Sequence, residues 1–138
     1  MAVVNFNFNQ IVAERNKPTS GKINIGTNIS ITDVIEHPLN IPDDKQKAVR
    51  FGFKFSAVYE PDVGRITLSG EVIHIFEAKL ADEILAEYKK GKKVKKEILP
   101  IIYSFVLTKC HVEAIAVSRD VNLPPPIPMP KIQQKEKA

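Results

Sequence analysis

The chain has 138 residues, of which 43% are hydrophobic and 26% charged, the balance of one ordinary soluble domain long enough to bury a core. Its lone cysteine, Cys110, excludes an intrachain disulfide framework and fits a reducing, cytoplasmic compartment. The net charge of +4 is uneven: KKGKKVKK (89–96) and the tail KIQQKEKA (131–138) hold nine lysines and one glutamate, and the remainder is a mildly acidic body of net −4, unlike a spread nucleic-acid-binding face.

The opening MAVVNFNFNQ lacks a basic stretch followed by an apolar run, so no signal peptide is expected. It alternates with period two instead: Val4, Phe6 and Phe8 against Asn5, Asn7 and Asn9, the pattern of a strand with one buried face. A second strand places Ile23, Ile25, Ile29, Ile31 and Ile35 on odd positions. After the Pro- and Asp-bearing loop 37–47, a third sets Val49, Phe51, Phe53, Phe55, Ala57 and Tyr59 against Arg50, Lys54 and Ser56. YEPDVGR (59–65) then reads as a hairpin turn, with Pro61 presetting φ, Asp62 capping and Gly64 taking positive φ. In the fourth strand Ile66 and Leu68 hold the even face. Beyond Gly70 both Val72/Phe76 and Ile73/Ile75 are apolar, which marks either a bulge or an end covered on both faces.

The period changes at Glu77. Leu80, Ile84, Leu85 and Tyr88 are spaced for a helix that Gly91 can end at C′. A second helix spans about 95–118, and Pro100 in its first turn moves the start nearer Ile98. Its apolar set (Ile98, Ile101, Ile102, Phe105, Val106, Cys110, Val112, Ile115, Ala116) is too broad for one stripe and predicts burial on two sides. One side is the sheet; the other is the first helix or a second subunit. The run ILPIIYSFVL is short of the roughly 20 residues a membrane span needs. Strands followed by helices predict an α+β fold: a four-stranded antiparallel sheet with two helices on one face.

The chain continues into DVNLPPPIPMP (120–130). A polyproline strip has little entropy left to lose, and Val121, Leu123, Ile127 and Met129 interleave with its prolines. It is expected to lie on the protein's own body, with docking to a partner or disorder as the alternatives. Residues 1–130 thus form a single domain that includes the strip 121–130, followed by a basic, disordered tail, 131–138.

In order and spacing, the strands INIGTNISITDVIEHPL, AVRFGFKFSAVYE and GRITLSGEVIHIFEA, the helix opening Ile98-Leu99-Pro100, the polar step Ser118-Arg119-Asp120 and the strip Leu123-Pro124-Pro125-Pro126-Ile127-Pro128 resemble the SecB family of protein-export chaperones and their archaeal and toxin–antitoxin-associated relatives. The resemblance spans roughly residues 3–130. It implies a homo-oligomer, dimer or tetramer, that binds unfolded or nascent polypeptides in an apolar groove between sheet and helix layers, without cofactor, metal or catalysis. The net positive charge sets this chain apart from the strongly acidic bacterial export chaperone, and no acidic surface for an export motor is evident.

The residues themselves carry no enzyme signature. His37, His74 and His111 lack metal-ligand spacing. Cys110 and His111 are adjacent on a helix and point about 100° apart. Glu77, Asp82, Glu83 and Glu87 read as the outer face of the first helix. The expected polypeptide-binding residues are Phe53, Phe55, Ile73, Ile75, Leu123 and Ile127. The alternative is a nucleic-acid-binding module using Lys89, Lys90, Lys92, Lys93, Lys95 and Lys96, although no aromatic residue interleaves with them to stack bases. A structural subunit or antitoxin partner is a third reading.

Overall fold

A computed structural model describes residues 3–18, 21–38 and 45–126. In chain order these form β1 (Val3–Arg15), β2 (Asn24–His37), β3 (Gln46–Glu60), β4 (Gly64–Glu77), α1 (Ala78–Gly91) and α2 (Leu99–Asp120). The strands make one antiparallel sheet in the order β1-β4-β3-β2, which leaves β1 and β2 as edges.

The β3–β4 hairpin is the regular centre, paired without a break from Gln46↔Glu77 to Tyr59↔Gly64. Its turn closes through the Val63 N–H, which donates to the Tyr59 carbonyl at 2.9 Å. The left-handed residue is Asp62 (φ 53), not Gly64 as the turn pattern suggests. Asn16 Nδ2 donates to the Asp62 carboxylate at 3.2 Å. Gly64 serves close approach instead, because a methyl group there would run into the Glu14 carbonyl of β1.

Bulges explain where period-two reading fails. The β1 register shifts between Phe8 and Gln10, opposite Gly70, where a methyl group would meet the Asn7 carbonyl. A second shift between Val3 and Asn5 packs Val3 against the core and leaves Val4 51% exposed, so Val4 departs from the Phe6/Phe8 face. In β2 the register shifts between Ile31 and Asp33. Ile29 and Ile31 therefore face Phe55 and Phe53, but Val34 then takes the place opposite Phe51, and Ile35 turns to the other face opposite Arg50.

Both helices cover the face that carries Phe51, Phe53 and Phe55. α1 starts beside β3, where Lys47 Nζ meets the Asp82 carboxylate at 2.8 Å, and buries Ala81, Ile84 and Tyr88. Gly91 is its last helical residue; the left-handed cap is Lys92 (φ 56), whose N–H donates to the Tyr88 carbonyl at 2.7 Å. α2 crosses β4 and reaches β1 through Phe105, whose ring lies 5.7 Å from Phe6. Pro100 occupies its first turn, where no intrahelical N–H is lost. Every fourth residue, from Ile98 through Ile102, Val106, Cys110 and Ala114 to Ser118, is buried, so a single ridge packs on the sheet. By length and composition α2 could cross a membrane, but here a third of its most apolar window is buried inside the fold.

The chain then turns back over the sheet end. The Leu123 N–H donates to the Ser118 carbonyl at 2.8 Å, and the Leu123 side chain is buried against Gly64. Tyr59 Oη donates to the Pro124 carbonyl at 2.5 Å, and Arg15 Nε donates to the Val121 carbonyl at 3.0 Å. Residues 121–126 thus lie on the protein's own body, with Pro126 buried. The rest of the strip, 127–130, and the tail 131–138 fall outside the described residues.

Candidate functional site

Sheet pairing separates the four strand residues among the six expected polypeptide-binding positions. Phe53 lies opposite Gly70 and Phe55 opposite Leu68, so the even positions of β4 share their face while Ile73 and Ile75 lie on the reverse. Phe53 and Phe55 are each 1% exposed. Phe53 stacks on Phe6 at 5.3 Å and meets Phe8 edge-on at 6.0 Å, an aromatic centre for the core. Ile73 is buried, Ile75 half-buried, and Leu123 plugs the sheet end. Ile127 lies outside the described residues.

The lysines form the joint between α1 and α2. Lys89, Lys90, Lys92, Lys93 and Lys96 are exposed and have no ion pair among the described residues. Lys95 is different: it is half-buried and reaches Glu83 at 3.4 Å, and that contact raises its pKa. Lys92 Nζ sits 5.2 Å from the centre of the Tyr88 ring.

Folding supplies the aromatics that the lysine run lacks. A groove of about 360 Å³ opens between edge strand β2 and the helix layer. Its apolar floor is Ile31, Tyr88, Leu99 and Tyr103, and its rim is Lys92, Lys93 and Lys96. Ser30 and Val94 complete the lining, and among the described residues no acidic side chain contributes. Sequence reading missed Tyr88 and Tyr103 because they are 15 positions apart. The available signal was helical: Tyr88 precedes Lys92 by four residues, and Tyr103 follows Leu99 by four.

A second apolar surface lies outside α2. Ile101 is 51% and Val112 67% exposed, with Phe105 and Ile115 half-buried between and beyond them. Together with Thr108 they recur at steps of four and three residues, as in a helix seam. α1 does not cover this stripe, so among the described residues the second side of burial expected for α2 is not filled. The stripe borders a groove of about 520 Å³ lined by Val112, Ile115, Ala116, Leu123 and Pro125, with Arg119 beside it.

Three further titratable groups, Cys110, His111 and His74, lie in or against the core. Burial pushes the Cys110 thiol up to about 12, which makes it a poor nucleophile at neutral pH. His111 lies edge-on to Phe55 at 6.2 Å. His74 is buried, stacked on Phe76 at 4.4 Å, and burial holds its pKa below the ordinary histidine value; a contact at 2.9 Å between Nδ1 and the Ile75 carbonyl opposes this. Among the described residues no group of three or more His, Cys, Asp or Glu side chains is placed to hold a metal ion.

No family model and no curated protein matches the chain. A solved structure does: the SecB-like chaperone of Mycobacterium tuberculosis in complex with a ChAD peptide from the HigA1 antitoxin, with a TM-score of 0.54 and 11% identity over 95% of this chain and 88% of that one. At that identity the likeness is one of fold: a four-stranded antiparallel sheet followed by two helices, arranged as in a SecB-like chaperone.

Proposed function

We propose that the protein is a non-enzymatic, chaperone-like polypeptide-binding protein that holds extended apolar segments in the groove beside β2. The supporting observation is the juxtaposition there of an apolar floor, Ile31, Tyr88, Leu99 and Tyr103, with a sheet edge. An edge strand offers unpaired backbone groups to an incoming strand, and the floor takes alternate side chains. The likeness to a chaperone solved with a bound peptide agrees with this reading. In the same proposal the exposed stripe of α2 is covered by a second copy of the chain, giving a homo-oligomer. The lone buried cysteine suits a cytoplasmic setting.

The deciding measurement is fluorescence anisotropy of a labelled, denatured polypeptide at low salt and at about 0.5 M salt, where exposed charges are largely screened. Binding at or below the order of a micromolar in both conditions supports apolar capture. Absent binding refutes it. Binding abolished by salt shifts the assignment to the second reading, a nucleic-acid interface, which the five exposed lysines without an ion pair among the described residues and the nearby Tyr88 and Tyr103 favour.

A further inference from the structure

The groove beside β2 combines an apolar floor with a lysine rim, and the inference drawn from that pattern rests on the polypeptide-binding reading above. Its floor is apolar, so a bound segment needs apolar side chains in the middle. Its rim is Lys92, Lys93 and Lys96, none of which has an ion pair among the described residues. The one lysine of the joint with an acidic partner, Lys95, lies outside the groove lining. The carboxylates nearest in sequence, Glu87 and Glu97, line an adjoining hollow together with Lys90 and Lys95, and Lys93 and Lys96 border both cavities. At about 360 Å³ the groove holds a few side chains, not a folded domain.

We infer that this groove takes an extended peptide whose apolar core is flanked by aspartate or glutamate, and discriminates against the same core flanked by lysine. The apolar centre is buried on Ile31, Tyr88, Leu99 and Tyr103, and the flanking carboxylates meet the rim ammonium groups. A lysine-flanked peptide brings like charges together at the same rim, which is the stronger source of selectivity. Lys92 is held in place for this role by its backbone cap and by the Tyr88 ring beneath it.

The test uses the full chain and three labelled peptides with one apolar core, flanked by glutamate, glutamine or lysine. At low salt the glutamate peptide should bind at least about fivefold more tightly than the lysine peptide, since several exposed charge contacts act together. About 0.5 M salt should bring the two affinities together. The variant K92Q/K93Q/K96Q should reduce the ratio to about one, while K22Q/K54Q/K79Q, with the same loss of charge at exposed positions elsewhere, should preserve it. Equal affinities at low salt, a preference for the lysine peptide, or a ratio that survives K92Q/K93Q/K96Q overturns the inference but leaves polypeptide binding standing. Failure of all three peptides to bind removes both readings. Tighter binding of a single-stranded oligonucleotide than of the glutamate peptide assigns the groove to nucleic acid and likewise overturns it.

Discussion

Helices α1 and α2 lie on the same sheet face, yet they finish their outer surfaces differently. α1 buries Ala81, Ile84 and Tyr88 and exposes lysines and acids, so its surface is complete within one chain. α2 buries one ridge and still presents Ile101 and Val112 to solvent. A helix needs only one apolar stripe to pack on a sheet, so the second stripe of α2 is apolar surface in excess of what this fold needs. The joint between the two helices, where the lysines and tyrosines meet, is where a finished surface gives way to an unfinished one.

The largest expected effect separates the two sides of α2. Ile102→Ala, at a fully buried position on the inner ridge, should lower the unfolding free energy by about 2–5 kcal/mol. Ile101→Ala, one residue away on the outer stripe, should change the stability of the monomer by less than about 0.5 kcal/mol. Urea titrations below the association concentration measure both. A comparable loss at Ile101 would mean that the outer stripe is packed in solution even in the single chain.

The segment that follows α2 gives a smaller effect. Tyr59→Phe removes the hydroxyl that donates to the Pro124 carbonyl and should cost about 1 kcal/mol. At the end of α1, Lys92→Gly relieves a left-handed conformation that disfavours a side chain and should gain a few tenths to about 1 kcal/mol, reduced by the lost contact with Tyr88. A loss of stability instead would show that Lys92 holds the joint together. The smallest effect depends on pH and belongs to the sheet below. His74 is buried with a lowered pKa, so the unfolded chain binds its proton more readily. Stability should therefore be whole above the ordinary histidine pKa of about 6.5 and decline as pH falls below it, toward the folded value. His74→Phe should flatten that part of the pH profile.

The regular parts of the molecule were legible because each rests on one local rule. The alternation of β3 and the turn at Pro61–Gly64 predict the central hairpin, and Pro100 locates the start of α2. The edge strands were harder to read. Single extra residues in β1 and near Thr32 of β2 exchange the faces of Val4 and Ile35, and alternation alone carries no signal of a bulge. The expected site residues mixed two faces for a related reason. Phe53 and Ile73 look alike as apolar strand residues, and only the pairing of Phe53 with Gly70 shows that they point in opposite directions. The groove was invisible along the sequence because its parts come from β2, α1, the connector and α2, and only packing unites them.

The return of the chain after α2 bears on how this protein is made. Arg15 and Val121 are 106 positions apart, and Tyr59 and Pro124 are 65 apart. During synthesis the sheet and both helices emerge before the residues that close the sheet end. Until Leu123 leaves the ribosome the position beside Gly64 stays open, and the Tyr59 hydroxyl lacks the Pro124 carbonyl. A product terminated within α2 would carry every strand and still be less stable than the longer chain, and cellular proteases act on differences of that kind. Residues 121–124 thus tie the late-made end of the described chain back to β1 and β3, so the closing of the sheet end is among the last steps of folding open to a nascent chain.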